Sequence, residues 1–264
     1  MINNTNVEWI KKHPYKIFRV SDFLIKNEYE KLSHNFPNFE DINKENFFKF
    51  ENNKFAITSG SKEYNEIILN NEILKKFDQM VNSINFKNLF FYKIYSHILL
   101  SRNFDLKHIF KLVKIPKFVD KIESNFILKN LSIFSKLRIT IQYSYILNKG
   151  KIVPHPDAGD KVLTLLLPFP KFTNNNNKLK HKDREIKYGT TFWNSSYLNL
   201  KDQHLSDPHD EDKFKKESKI LYETSFNQNE IYGFIKNKHS WHSVEPIDVS
   251  DDYVRKSINI NIYY

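Results

Sequence analysis

The 264-residue chain contains no cysteine. That excludes a disulfide scaffold, a thiolate zinc site, an iron–sulfur cluster and a cysteine nucleophile, so any metal must be held by nitrogen and oxygen. Glycine is scarce too, with five residues, and methionine occurs only twice. No apolar run approaches the ~20 residues of a membrane span. The opening MINNTNVEWIKKH lacks the apolar stretch of a signal peptide. The expectation is a soluble, cytoplasmic protein with no membrane partner. What the chain has in abundance is aromatic mass, 23 Phe, 14 Tyr and 3 Trp, which excludes global disorder and supplies one sizeable core.

The formal charge is +10, from 41 Lys and Arg against 31 Asp and Glu. A clustered excess of this kind points to nucleic acid. Here the cations are scattered among acids and asparagines. Lys107–Lys121 interleaves them with Ile, Phe, Leu and Val at helical spacing, as on the solvated face of a packed helix. The distribution argues against a nucleic-acid partner.

The first half of the chain reads as helical. Asn27 and Glu30 have the form of a capping box for a helix that stops before Pro37. Ile73, Phe77, Met80, Val81 and Ile84 form one apolar stripe after the caps Asn70 and Asn71, and Phe104 to Ile115 repeats the pattern. From Leu137 the period changes to that of strands. LRITIQYSYILNKGK alternates and closes on a turn at Asn148–Gly150. VLTLLLPF (Val162–Phe169), GTTFW (Gly189–Trp193), EIYGFI (Glu230–Ile235) and VRKSININIYY (Val254–Tyr264) follow. Polar inserts at about 171–188 and 194–223 interrupt them, and inserts of that length are lids or flexible excursions. The expected organisation is a single domain over 1–264, of α+β class. A mainly helical region, 1–136, would support a sandwich or jelly-roll barrel of roughly eight strands over 137–264.

Four residues carry the chemistry. His155 and Asp157 are two apart in an extended segment and so point to one side, where imidazole and carboxylate can share an ion. His242, before the last strand, is the third ligand, preferred over His239 because Trp241 and Val244 give it a packed setting. Two His and one carboxylate form the set that holds non-haem Fe(II) and leaves open positions. His181 and Asp183 repeat the spacing, but in a Lys/Asn-rich loop without rigid flanks. In the last strand Arg255, Ser257, Asn259 and Asn261 share a face, and a guanidinium beside a hydroxyl suits a carboxylate. His209 to Asp212 could bind a cation but sit among mixed charges that suggest a solvated loop.

The order YSYILNKGKIVPHPD, VLTLLLPF, GTTFW, NEIYGFIKNKHSWHSVEPI and VRKS resembles the Fe(II)- and 2-oxoglutarate-dependent oxygenases, especially the prolyl-hydroxylase-like branch. The resemblance covers Leu137 to about Ile262. It implies a double-stranded β-helix, a jelly-roll or cupin-like barrel supported by N-terminal helices. His155, Asp157 and His242 fall on that family's catalytic Fe(II) ligands. Arg255 and Ser257 fall on its 2-oxoglutarate site, with Tyr145 as a further donor to the co-substrate and Tyr143 as the fallback. The implied reaction couples decarboxylation of 2-oxoglutarate by O₂ to hydroxylation of an unactivated C–H bond. The expected substrate is a small, amino acid-like molecule or other metabolite. The alternatives are a protein or peptidyl hydroxylase and a non-catalytic metal-binding barrel. The intact Asp157 argues against a halogenase. The family's glycine pair is reduced to Gly189, and no second Arg follows Arg255, unlike nucleic-acid demethylases.

Overall fold

Alternation of apolar and polar side chains builds most of the regular structure, and it does so from both halves of the chain. The computed structural model describes residues 1–38, 48–50, 53–83, 85–87, 94, 97–98, 137–157, 160–171, 188–197, 208–247 and 254–263. Among them, β1 (Glu8–Lys11), β2 (Ile17–Val20), α1 (Lys26–His34), β3 (Phe48–Phe50), β4 (Lys54–Thr58), α2 (Lys62–Asn70) and α3 (Glu72–Asn82) come from the first half. The second half gives β5 (Arg138–Ile146), β6 (Ile152–His155), β7 (Lys161–Lys171), β8 (Thr191–Asn194), α4 (Pro208–Glu217), β9 (Lys219–Glu223), β10 (Ile231–Ile235), β11 (His242–Val244) and β12 (Val254–Tyr263). Class α+β holds: antiparallel sheets with helices packed on one of them.

The larger sheet has the order β1-β2-β10-β7-β12-β5-β4-β3 and the smaller β6-β11-β8-β9. The described part of the first 136 residues therefore contributes four strands as well as helices. They are three to five residues long, too short for their alternation to stand out, and they lengthen the larger sheet at both edges. The capping box is also corrected. α1 begins at Lys26, with Ile25 as its N-cap and no side-chain cap, so Asn27 lies inside the helix. α3 starts as expected, with the Asn71 side chain accepting from the N–H groups of Ile73 and Leu74. The insert after Trp193 contains α4 and β9 rather than loop alone. Phe104 to Ile115, and most of the 171–188 insert, lie outside the described residues.

The period-2 rule divides β12 cleanly. Ile258, Ile260 and Ile262 are fully buried with Leu163, Leu165 and Leu167 of β7 and Ile141, Tyr143 and Tyr145 of β5. Leu74, Phe77 and Val81 of α3 close this core from the helical side. Each such side chain contributes about 1.5–3 kcal/mol by leaving water. The opposite face of the same strands is polar and looks toward the smaller sheet, and the candidate site occupies the space between.

Candidate metal centre and its cavity

His155 ends β6 and His242 begins β11; the two strands pair so that these residues stand directly opposite one another. Their ring centroids are 4.2 Å apart. His155 Nδ1 is 2.9 Å from the Val153 carbonyl and His242 Nδ1 is 3.0 Å from the Ser240 carbonyl. A carbonyl only accepts, so each Nδ1 carries the proton and each Nε2 presents its lone pair. Both Nε2 atoms face Asp157, at 3.7 Å from Oδ1 for His155 and 3.9 Å from Oδ2 for His242. One ligand atom from each of the three residues lies within 4.8 Å of the others.

The backbone reaches this arrangement by a turn rather than by the extended i, i+2 geometry. Asp157 has φ of 61°, in the left-handed region that a non-glycine residue adopts at a cost. The turn swings its carboxylate in front of both imidazoles. Lys161 Nζ donates to Asp157 Oδ1 at 2.6 Å and Thr164 Oγ1 donates to Oδ2 at 3.1 Å. Burial works against ionisation of Asp157, but the Lys161 ammonium paired with it outweighs burial and holds the carboxyl below its ordinary range. Burial also lowers the proton affinity of both imidazoles. Neighbouring His242 lowers His155 further, while Asp157 partly opposes the effect at each ring. The result is two neutral imidazoles and one ionised carboxylate converging on a point, the donor chemistry of a divalent first-row metal with open positions.

Arg255 reaches the same cavity from the larger sheet. It is 1% exposed, donates from Nε to the Tyr188 carbonyl at 2.6 Å, and lies over the Phe226 ring at 4.3 Å. Asn259 and Asn261 line the cavity on the same face, and Asn259 Nδ2 donates to Gln142 Oε1 at 3.1 Å. Ser257 is fully buried on this face, 3.4 Å from Asn259 Oδ1, but it does not line the cavity.

The expectation for Tyr145 is corrected. Its hydroxyl donates to the Pro37 carbonyl at 2.6 Å, within the core against the helices. The register gives the reason. Tyr145 stands opposite Lys256 and Phe55, and Arg255 opposite Ile146, so tyrosine and arginine project from opposite faces. Tyr143 shares the wrong face. The β5 residues that reach the cavity are Gln142 and Ser144.

His239 stays outside the three-residue cluster. His181, Asp183 and His204 lie outside the described residues. The segment from His209 to Asp212 is helical. Glu211 is buried there against Lys151 and Lys215, at 2.7 and 2.9 Å, which replaces the expected solvated loop. Sequence reasoning missed two cations of the cavity. Lys161, four residues after Asp157, could have been found by its spacing. Lys54, on a five-residue strand about a hundred residues upstream, carries no local signal.

No protein-family model matches the chain, and no curated protein matches it. Among solved structures it is similar to a prolyl-4-hydroxylase from Pseudomonas putida, at 8% identity over 95% of this chain and 93% of that one, TM-score 0.43. It is similar to the non-haem α-ketoglutarate-dependent epimerase SnoN of nogalamycin biosynthesis, at 11% identity over 94% and 78%, TM-score 0.46. HygX from Streptomyces hygroscopicus, with nickel and 2-oxoglutarate bound, is similar at 6% identity over 94% and 82%, TM-score 0.42.

Proposed function

We propose that this chain is an Fe(II)- and 2-oxoglutarate-dependent dioxygenase that hydroxylates an unactivated C–H bond of a small molecule. The observation that carries the reading is the convergence of three neutral-or-anionic donors and one buried guanidinium on a single cavity between two sheets. His155, Asp157 and His242 would hold Fe(II). Arg255 would take the far carboxylate of 2-oxoglutarate, with the Ser257 hydroxyl nearby. On this reading β5, β7, β10 and β12 with β6, β8, β9 and β11 form a double-stranded β-helix, and β1 to β4 extend its larger sheet.

When bound, the metal and co-substrate supply the activation of O₂. The protein's own residues do the remaining work. The Val153 and Ser240 carbonyls fix both imidazoles in one tautomer, and Lys161 and Thr164 hold the Asp157 carboxylate in one orientation. Phe192 and Phe234 line the cavity beside His242, with ring centroids 6.3 and 4.5 Å from its imidazole, and help exclude water. A space enclosed by strands on both sides, rather than a groove on the surface, favours a metabolite over a peptide.

Anaerobic addition of Fe(II) and 2-oxoglutarate should produce a charge-transfer absorption. His155→Ala abolishes it and Arg255→Ala weakens it, and in air the native protein releases succinate. Absence of both the band and succinate would overturn the reading.

A further inference from the structure

Lys161 reaches the metal centre through a local irregularity of β7. Along that strand Leu163, Leu165 and Leu167 enter the core, while Thr164 and Leu166 line the cavity. Strict alternation would send Lys161 into the core with the leucines. The register slips by one residue instead: Ile262 stands opposite Leu163, but Tyr263 stands opposite Lys161. The extra residue makes a β-bulge, so Val162 and Leu163 both enter the core and Lys161 turns to the cavity. There its ammonium donates to Asp157 Oδ1 at 2.6 Å, and the two side chains are only 11% and 8% exposed.

Two donors thus hold the Asp157 carboxylate, and they differ in charge. Thr164 fixes Oδ2 with a neutral hydroxyl. A second neutral donor on Oδ1 would complete the orientation. An ammonium does the same at a higher desolvation cost, and what it adds is a positive charge on a ligand of the proposed metal. That charge acts beyond the contact. Burial is the main reason that His242 binds a proton weakly, and the field of Lys161 adds to it, against the pull of Asp157. A metal that gains positive charge between these ligands meets the same opposition.

We propose that Lys161 sets the redox preference of the site, its charge favouring Fe(II) over Fe(III) at His155, Asp157 and His242. The inference rests on the metal part of the oxygenase reading and not on the co-substrate or the substrate. The step it opposes is transfer of one electron from Fe(II) to O₂, which leaves Fe(III) and superoxide. That transfer raises the charge beside the ammonium by one. On the oxygenase reading, Lys161 keeps the site competent between turnovers.

The test is the Fe(III)/Fe(II) potential of the full-length, iron-loaded protein without 2-oxoglutarate, measured by spectroelectrochemistry. The native form is set against Lys161→Met, Lys161→Gln and Lys161→Arg. Removing the charge should favour Fe(III) over Fe(II) about tenfold or more, a fall of about 59 mV. Lys161→Gln retains a neutral donor for Oδ1 and should fall with Lys161→Met, whereas Lys161→Arg retains the charge and should stay near the native value. Fe(II) autoxidation in air should quicken in the two neutral variants. As a check without redox chemistry, Lys161→Met should raise the affinity for Ga(III) more than that for Ni(II), each measured by competition with citrate. Unchanged potentials overturn the proposal. So does a native potential in Lys161→Gln, which would leave Lys161 as an orienting donor only, and so does loss of Ni(II) binding in both neutral variants. If the native protein binds iron but gives no 2-oxoglutarate band, the oxygenase reading fails while the potentials still decide the role of Lys161. If it binds no iron, the metal centre fails and the proposal with it.

Discussion

At His155 and His242 the tautomer is set by backbone carbonyls and the proton affinity by burial, and together these make a pH prediction. Both imidazoles sit below their ordinary value of 6.5 in the folded chain. The unfolded chain therefore takes up protons below about pH 6.5 that the folded chain refuses. The stabilisation is complete above that pH and is lost as pH falls beneath it, at up to about 1.4 kcal/mol per pH unit for each proton. The metal-free protein should show a falling melting temperature from pH 7 to pH 5, and the double variant His155→Gln/His242→Gln a shallower fall. Equal slopes would mean the histidines are not the groups responsible. Tyr145 gives a second test at this scale. Because its hydroxyl bonds Pro37, Tyr145→Phe should cost about 1 kcal/mol in urea unfolding and leave 2-oxoglutarate affinity unchanged. A loss of affinity would return the tyrosine to the cavity. The spacing of His155, Asp157, His242 and Arg255 was legible because strand ends and chemistry coincide there. The face of Tyr145 was not, because alternation on β5 offers two faces and only the pairing with β12 chooses between them.

At the scale of elements, what decides legibility is length. β5, β7 and β12, with nine to eleven residues, announce themselves by alternation, and α3 by its apolar stripe behind Asn71. β1 to β4 have three to five residues, and their place at the edges of the larger sheet comes from partners more than from propensity. Gly189 shows how a tight element junction depends on one residue. A Cβ there would lie 1.7 Å from the Thr224 carbonyl oxygen, at the point where Thr190 N–H donates to Thr224 Oγ1. The adjacent Tyr188 carbonyl accepts from Arg255. Gly189→Ala should therefore destabilise by about 2–4 kcal/mol and loosen the guanidinium. Gly60, with φ of 95° and open space around it, should cost only about 1 kcal/mol on the same change. Equilibrium unfolding of the two variants checks the order, and similar values for both would show that the Thr224 segment yields freely.

For the molecule as a whole, the polar cavity and the α4 insert are joined through the smaller sheet. Phe214 of α4 is fully buried against Trp193 and Trp241, with ring centroids 5.7 and 4.8 Å away, and Trp241 precedes His242. Polar links run alongside. Lys215 bridges Glu211 and Glu245, Glu245 accepts from Ser243, and Ser243 accepts from the Trp193 indole. The helix thus braces the back of the strands that present His242, while the larger sheet rests on its own core against α1 to α3. Phe214→Ala removes the centre of this brace and should cost about 3–5 kcal/mol. The loss should be local in kind: amide exchange should accelerate in α4, β8 and β11 and stay slow in β5, β7 and β12. Metal affinity should weaken with it, because His242 loses the packing that holds its strand in register with His155. Uniform acceleration across both sheets would mean that the molecule opens as a single unit, and unchanged metal affinity would mean that β6 and β8 alone keep His242 in place.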